Sequence, residues 1–239
     1  MFTREDLVPP DLMPESPYPT ASNINITTPG VLKMLQCLNV HKASGPDEIC
    51  PRILKELAST IAPILTTIYR KSYDEGVLPA EWKSANVVPI YKKGKTTDAS
   101  NYRPISLTCI CCKMLEHMDT SHIMTHANDN DILYEYQHGF REKRSCETQL
   151  LEFQSDVLKN MQAGKQTDAV ILDFSKVGLF DKVGHEHLTT KLKYYGIRGK
   201  TNEWIVIFLN HRTPAVVLDG ERSHDAPLVS GVPQGSVAY

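Results

Sequence analysis

The chain lacks a strong excess of charge of either sign. Its 239 residues include 26 lysines and arginines and 28 aspartates and glutamates, which gives a formal net charge of −2. Proteins that bind nucleic acid usually carry a basic face. The overall charge therefore gives no support to nucleic-acid binding, although local basic patches remain compatible with it.

Two kinds of apolar segment are also missing from the sequence. No hydrophobic run is long enough to span a bilayer, and Met1 is followed by Thr3-Arg4-Glu5-Asp6 rather than by the apolar core of a secretory signal. The sequence therefore predicts an intracellular protein without a membrane partner, in either the nucleus or the cytoplasm. Hydrophobic residues make up 41% of the chain, which is enough for a sizeable core.

The six cysteines do not form a recognisable metal pattern. Cys109 and Cys112 have the C-x₂-C spacing of zinc sites, but no matching pair of cysteines or histidines follows at the usual distance. Free cysteine is among the most frequently buried residue types. We therefore interpret Cys109, Cys111 and Cys112 as buried helical thiols in a reducing compartment.

Hydrophobic periodicity predicts an α+β fold with a helix-rich N-terminal half. Residues 1–29 are rich in proline and polar residues and indicate a flexible leader. Thr28-Pro29 has the composition of a helix start. A long amphipathic helix should follow from residue 53 to Gly76, and Pro63 should kink or divide it. Its expected apolar stripe comprises Ile53, Leu54, Leu57, Ile61, Ile64, Leu65 and Ile68.

The middle of the chain predicts one strand and two helices. Residues 85–91 have the pattern of a strand, and Pro89 within them favours a sheet edge or a bulge. Lys92-Lys93-Gly94-Lys95 forms a basic loop after it. A helix is expected from Leu107 to about Ala127, and another from a Ser145 cap to a Gly164 stop.

The last part of the chain predicts a strand, two short helices and a hairpin. The strand covers Asp168–Asp173, and the helices cover His187–Tyr195 and Thr201–His211. Ala215–Leu218 followed by Asp219-Gly220 indicates a hairpin with a primed turn. Asp173 at the end of an apolar strand is suited to bind a divalent metal, but an acid at such a position is also a common turn former.

Several motifs occur in one order along the chain, and together they are far more specific than any one of them. They are His41-Lys42-Ala43-Ser44-Gly45-Pro46-Asp47, Asn101-Tyr102-Arg103-Pro104-Ile105-Ser106-Leu107, Gln137-His138-Gly139-Phe140-Arg141, Ala169-Val170-Ile171-Leu172-Asp173-Phe174 and Ser230-Gly231-Val232-Pro233-Gln234-Gly235-Ser236. From about Ile26 to Ser236 the chain resembles the reverse transcriptase of non-LTR retrotransposons.

The resemblance implies a right-hand polymerase fold. Residues 30–165 would be a fingers-like helical region and residues 166–239 a partial palm. The implied substrates and partners are deoxynucleoside triphosphates, an RNA template and a DNA primer. The implied cofactor is Mg²⁺, with Asp173 as catalytic metal ligand and the backbone carbonyl of Phe174 as a second oxygen.

The resemblance also implies residues that bind the incoming nucleotide. Arg103 is similar to the fingers arginine that contacts the triphosphate, and Lys92 or Lys93 would be the accompanying lysine. Gln234 would line the nucleotide and template pocket, and Phe180 would exclude a ribose 2′-hydroxyl. Each has a plainer alternative: a surface ion pair for Arg103, a solvated loop for the lysines, a tight turn around Gln234 and a core position for Phe180.

Two departures from the family pattern bear on activity. The segment from Asp173 to Val183 contains two extra residues around Gly178, which displaces Phe180 by up to roughly 6.6 Å in extended chain or is looped out as a bulge. The third palm motif, an aromatic residue followed by Asp-Asp, does not occur in the sequence. We therefore expect an inactive polymerase fragment with an exposed hydrophobic strand edge at 168–173. The alternatives are a non-catalytic module that binds RNA or a partner, and a degenerate copy without function.

Overall fold

The computed structural model describes residues 13–172, 183–228, 230–233 and 235. Within these ranges the fold mixes helices with one four-stranded sheet, which confirms the α+β class. The helices are α1 (Thr28–Gln36), α2 (Pro51–Glu56), α3 (Ala58–Glu75), α4 (Ala80–Lys83), α5 (Ile110–Asp129), α6 (Cys146–Gln162), α7 (His185–Tyr194) and α8 (Lys200–Leu209). The strands are β1 (Ser84–Tyr91), β2 (Tyr102–Leu107), β3 (Thr213–Leu218) and β4 (Glu221–Arg222).

The sheet has the strand order β2-β1-β3-β4. β1 pairs antiparallel with β2 and parallel with β3, while β3 and β4 form an antiparallel hairpin. Asp219 and Gly220 connect that hairpin with φ values of 52° and 84°, as a primed turn requires. The predicted hairpin is therefore confirmed.

Two prolines are opposed in the sheet without breaking it. Pro89 of β1 lies opposite Pro104 of β2. Neither residue has an N–H, so this pair must be of the non-hydrogen-bonded kind, in which the amide positions face away from the partner strand. β3 pairs with β1 only over residues 84–87. Pro89 therefore lies beyond the doubly paired part of β1, in agreement with the predicted edge position.

The core joins helices from both halves of the chain. The Tyr69 hydroxyl on α3 donates to the Cys111 carbonyl on α5 at 2.8 Å, and the Trp204 indole on α8 donates to the Ser72 hydroxyl on α3 at 3.2 Å. Tyr73 and Thr201 also share a buried hydroxyl contact. The sheet and the core thus continue across residue 165, and the division into regions 30–165 and 166–239 stays a prediction.

Helix α5 brings two carboxyl groups into this core. Glu116 and Asp119 are both buried, three residues apart on one helix face. Burial, and then the neighbouring Glu116, raise the pKa of Asp119 to about 7. Arg212, at the start of the β3 region, is buried nearby, with its guanidinium over the Phe208 ring at 4.5 Å. The core therefore contains a titratable acid that the sequence patterns did not indicate.

The N-terminal helices differ from the prediction in their boundaries and faces. The side chain of Thr27, rather than Thr28, caps α1 by accepting from the Gly30 amide at 3.2 Å. The second helix is divided at Leu57, whereas Pro63 lies inside α3 and is exposed. Gly76 ends α3 in a left-handed conformation, as predicted.

The predicted apolar stripe of these helices is largely wrong. Ile53, Leu57, Ile64 and Ile68 are exposed. The face that packs into the core consists of Ala58, Ala62, Leu65, Thr66, Tyr69, Ser72 and Tyr73. Small residues at Ala58 and Ala62 allow close approach of α1, and this tertiary contact outweighs the more hydrophobic stripe.

The helix expected from Leu107 begins later, because Leu107 ends strand β2 and Cys109 is the N-cap of α5. The three clustered thiols are buried, as predicted, and all six cysteines are free. Burial, and then the nearby Asp47 carboxylate, raise the pKa of Cys109 to about 12 and that of Cys111 to about 11. These thiols are therefore unreactive structural residues.

The strand predicted at residues 168–173 is wrong for its described part. Residues 168–172 form no strand, and Val170, Ile171 and Leu172 are 83%, 91% and 74% exposed. A strand needs a neighbour that accepts and donates its backbone hydrogen bonds. No described strand pairs with this segment. The expected strand edge is therefore not found at residues 168–172, although the apolar side chains there are exposed.

The described part of the leader, residues 13–27, lies against the end of α7. The Ala21 amide donates to the Gly196 carbonyl at 2.9 Å, and the Tyr18 ring contacts Tyr194 and Tyr195 at 5.9 and 5.5 Å between centroids. Gly196 has a φ of 90°, and a Cβ there would lie 2.1 Å from the Pro19 carbonyl oxygen. This glycine therefore permits the close approach of the leader. Among the described residues, no helix has the length and apolarity needed to cross a membrane.

Candidate functional site

The basic loop at residues 92–95 follows β1 and belongs to the turn that connects β1 with β2. The Lys92 amide donates to the Asn101 carbonyl at 2.8 Å, which continues the pairing of the two strands. Arg103 lies opposite Ile90, and Lys92 follows Ile90 by two residues. Because side chains alternate along a strand, Lys92 and Arg103 project from the same face of the hairpin. The structure thus brings these two predicted residues together, and Lys93 lies beside them in the loop.

Side chains from the β2 motif hold the basic loop in shape. The Asn101 amide donates to the Lys95 carbonyl at 2.9 Å, and the Tyr102 hydroxyl donates to the Thr96 carbonyl at 2.9 Å. Asn101 also packs directly on Gly94, where a Cβ would lie 2.6 Å from its side-chain nitrogen. The motif residues before Arg103 therefore form the scaffold of the lysine loop.

A tyrosine from β1 completes this scaffold. The Tyr91 hydroxyl donates to the Gly94 carbonyl at 2.6 Å, and the rings of Tyr91 and Tyr102 meet edge to face at 5.6 Å. Gly94 has a φ of 96°, a conformation that favours glycine. These contacts hold the loop in a defined shape, which reduces the entropy lost when a ligand binds.

The charge of this hairpin differs from that of the whole chain. Lys92, Lys93, Lys95 and Arg103 are all exposed. The acid within residues 92–103 is Asp98, whose carboxylate accepts from the Ser100 amide at 2.9 Å, and this hydrogen bond lowers the pKa of Asp98. Four cations against one acid make the hairpin a local positive patch, suited to an anionic ligand.

The glycine-rich motif near the end of the chain lies between α7 and β2. The Gly231 amide donates to the Val183 carbonyl at 2.8 Å, and the His185 imidazole Nε2 donates to the Gly231 carbonyl at 2.7 Å. At Gly235, with a φ of 96°, a Cβ would lie 3.0 Å from the Ser106 carbonyl oxygen. This motif therefore packs against the strand that carries Arg103.

The N-terminal motif lies just past the C-terminal end of β2. A Cβ on Gly45 would lie 2.6 Å from the backbone nitrogen of Cys109 and 2.6 Å from the carbonyl carbon of Thr108. A glycine at 45 is therefore required for the motif to lie against the link between β2 and α5. Three of the sequence motifs therefore meet at β2. The motif at residues 101–107 contains the strand, the glycine-rich motif lies beside Ser106, and the N-terminal motif lies beside Thr108 and Cys109.

The motif at residues 137–141 lies in the loop between α5 and α6, and its hydrogen bonds join residues of that loop and α6. The carbonyl of Tyr136 accepts from His138 Nδ1 at 3.1 Å, and Arg144 donates to His138 Nε2 at 3.3 Å. Arg144 also pairs with Glu152 of α6 at 2.9 Å. Arg141 donates to the Tyr134 carbonyl at 3.1 Å. His138 and Arg141 of this motif therefore form their hydrogen bonds within the loop, and Arg144 joins the loop to α6.

The remaining predicted site residues, Asp173, Phe174, Phe180 and Gln234, lie outside the described residues. Within the described ranges, no group of three or more histidine, cysteine, aspartate or glutamate side chains is arranged to bind a metal ion. The roles implied for these four residues therefore stay predictions.

Sequence reasoning missed the residues that position the site. Asn101 and Tyr102 were recognised as motif residues, but only the structure shows their contacts with the lysine loop. The predicted helix from His187 is found, but α7 begins two residues earlier, at His185. No local signal indicated its hydrogen bond to Gly231, because the two residues are 46 positions apart.

Comparison with known proteins agrees with this arrangement of motifs. The family described as reverse transcriptase (RNA-dependent DNA polymerase) matches residues 90–238. This match covers more than half of the chain and includes β2, the glycine-rich motif and the segment around Asp173. The chain therefore belongs to the reverse transcriptase family, and its relatives place it in the non-LTR retrotransposon branch.

The relatives are polymerases of mobile elements. The chain is 31% identical over 93% of its length to the RNA-directed DNA polymerase from mobile element jockey of Drosophila melanogaster. It is 28% identical over 87% of its length to the probable RNA-directed DNA polymerase from transposon BS, and 28% identical over 82% to that from transposon X-element, both of the same fly. The chain spans 24%, 23% and 22% of the lengths of these relatives.

Proposed function

We propose that this chain supplies the nucleotide-binding fingers and part of the palm of an RNA-directed DNA polymerase. The observation that carries the proposal is the preformed β1–β2 hairpin, which presents Arg103 and Lys92 on one face while the glycine-rich motif packs on the same strand. We assign the binding of a deoxynucleoside triphosphate, an RNA template and a DNA primer to this arrangement. We assign nucleotidyl transfer itself to longer polymerases, of the length that the relatives have.

The proposed roles follow from chemistry and from family membership. The planar guanidinium of Arg103 is suited to two phosphate oxygens at once, and the lysines supply mobile point charges. Gln234 is proposed to line the nucleotide pocket, and Phe180 to discriminate against a ribose 2′-hydroxyl. The family as a whole uses divalent metal. We propose Mg²⁺, bound through Asp173 and the Phe174 carbonyl, which would neutralise triphosphate charge and activate the primer hydroxyl.

Nucleotide binding tests the proposal directly. We expect fluorescently labelled dATP to bind the chain in the presence of Mg²⁺, and Arg103→Ala to weaken that binding about tenfold, which corresponds to the loss of a charge-assisted hydrogen bond. Arg103→Lys should recover only part of the affinity, because an ammonium lacks the fork geometry. Fluorescence anisotropy gives the dissociation constants.

Arg52 provides the matched control. It is also an exposed arginine, but it lies on α2, away from the hairpin. Arg52→Ala should leave dATP binding unchanged. Equal losses for Arg52→Ala and Arg103→Ala would show non-specific attraction, and no loss for Arg103→Ala would refute the assigned role.

A second candidate function is binding of single-stranded RNA without catalysis. It is favoured by the aromatic pair Tyr91 and Tyr102 next to three lysines, since rings and cations together bind unpaired strands. Such binding should weaken steeply with salt and be unaffected by dATP. Competition between dATP and an RNA oligonucleotide in the same anisotropy assay distinguishes the two functions.

A further inference from the structure

The glycine-rich motif is held by two hydrogen bonds to one residue, Gly231. Gly231 donates its amide hydrogen to the Val183 carbonyl, and its own carbonyl accepts from His185 at 2.7 Å. Ser230, Gly231 and Pro233 are buried. A loop with polar backbone in a buried position depends on such partners, because an unsatisfied buried carbonyl is costly.

His185 is a buried residue and not a solvated surface group. It is 8% exposed, at the first turn of α7. A carbonyl oxygen only accepts hydrogen bonds, so Nε2 of His185 must carry the shared hydrogen. The imidazole therefore acts here as a donor to the backbone of the motif.

The helix behind His185 is fixed to the core. The Thr189 hydroxyl donates to the His185 carbonyl at 3.0 Å, and Asn202 of α8 donates to the Thr189 carbonyl at 3.1 Å. α8 is in turn joined to α3 through Trp204 and Ser72. His185 thus connects the motif to the helical core, while a Cβ at Gly235, further along the motif, would lie 3.0 Å from the Ser106 carbonyl oxygen of β2.

We propose that His185 is a positioning residue that sets the placement of residues 230–233 of the glycine-rich motif relative to β2. It lies directly after the segment from Asp173 to Val183 in sequence and contacts the loop that contains Gln234. It therefore lies close to both Val183 and Gly231, which are themselves hydrogen-bonded at 2.8 Å. The loop placement follows from the contacts alone. Its relevance to nucleotide selection rests on the proposed function.

Hydrogen exchange of the Gly231 amide measures this placement in the whole chain. We expect His185→Leu, which replaces the imidazole by an apolar side chain of similar size and so removes the donor, to speed exchange at Gly231 about tenfold. His185→Gln should restore slow exchange, because its terminal amide reaches a similar position and donates. Amides of α3 and α8, measured in the same experiment, report on global stability.

The outcomes separate positioning from a general structural role. Faster exchange confined to Gly231 and its neighbours, with rescue by His185→Gln, supports the proposal. Equal acceleration in α3 and α8 shows a structural role only and overturns it, as does unchanged exchange in His185→Leu. If His185→Leu does not fold, the His185→Gln variant provides the test. If its Gly231 amide exchanges as fast as in an unstructured peptide while the amides of α3 stay protected, the hydrogen-bonding role is refuted.

Binding of dATP then tests the dependence on the proposed function. If His185→Leu opens the loop and weakens dATP binding while Arg103→Ala also weakens it, both assignments hold. If the loop opens but no variant changes dATP binding, the nucleotide function fails and the loop placement by His185 stands.

Discussion

Strand β2 and helix α6 both adjoin motif residues, but their surroundings differ. Glycines approach β2 and the residues that flank it closely: an added Cβ would lie 2.6 Å from the Asn101 side chain at Gly94, 3.0 Å from the Ser106 carbonyl oxygen at Gly235, and 2.6 Å from the Cys109 nitrogen at Gly45. α6 has a regular amphipathic pattern and a capping box between Ser145 and Thr148, yet none of its residues is buried. The comparison shows that a strong local sequence pattern is enough to form a helix but does not determine which residues pack against it. The packing around β2, in contrast, depends on contacts between distant parts of the chain.

The largest expected effect contrasts a core leucine with one on α6. Leu115 of α5 is fully buried and Leu151 of α6 is 62% exposed. Leu115→Ala should lower the free energy of unfolding by about 3 kcal/mol through lost burial and a residual cavity. Leu151→Ala should change it by less than about 0.5 kcal/mol. Urea denaturation measures both, and similar losses would show that α6 is covered in solution.

An intermediate effect concerns the two acids Asp119 and Asp156. An unfolded aspartate titrates near 3.8, whereas Asp119 in the folded core titrates at about 7, so the folded state binds more protons between these values. Its contribution to stability is therefore greatest below about pH 4 and is lost as the pH rises through 7.

The substitution Asp119→Asn isolates this contribution. It should flatten the decline in unfolding free energy between pH 4 and pH 7 and make the protein relatively more stable at pH 8. Asp156→Asn on exposed α6 should leave the profile unchanged, since the Asp156–Lys159 pair is solvated. Parallel profiles for wild type and Asp119→Asn would contradict the assignment.

The smallest effect concerns the scaffold of the lysine loop. Tyr102→Phe removes the hydroxyl that donates to Thr96 and should cost about 0.5 kcal/mol, because the site is partly solvated. Trypsin should then cleave after Lys93 and Lys95 about twice as fast. Tyr134→Phe, at a tyrosine that is 68% exposed in the α5–α6 loop, is the control. Equal cleavage rates in wild type and Tyr102→Phe would show that the loop does not depend on this hydroxyl.

Local signals in the sequence predicted many elements of the fold. The Ser145 cap, the Gly76 and Gly164 stops and the Asp219-Gly220 turn are each decided by a few adjacent residues, and each is found. The buried face of a helix such as α3 is not determined locally, because it depends on which other elements pack against that helix. The stripe through Ile64 and Ile68 was therefore mispredicted.

Strands depended even more on distant partners. The sequence did not predict β2, which contains Pro104. In the structure Pro104 lies opposite Pro89 of β1 in a non-hydrogen-bonded pair, so its missing N–H costs no hydrogen bond between these two strands. Residues 168–172 have the composition of a buried strand but no described neighbour to pair with. For the site, the motifs indicated Arg103 and the lysines, whereas the roles of Asn101, Tyr102 and His185 depend on three-dimensional contacts that no local pattern encodes.

The parallel pairing of β1 with β3 has a consequence for how the chain is made. Ser84 pairs with Thr213, which a ribosome adds 129 residues later. The β1–β2 hairpin closes over a short loop and can form early, whereas the β1–β3 pairing must wait until residue 213 is made and carries the entropic cost of closing a long loop. During synthesis, residues 84–87 therefore present an open strand edge, and a nascent chain that stalls before Thr213 is exposed there to pairing with other chains.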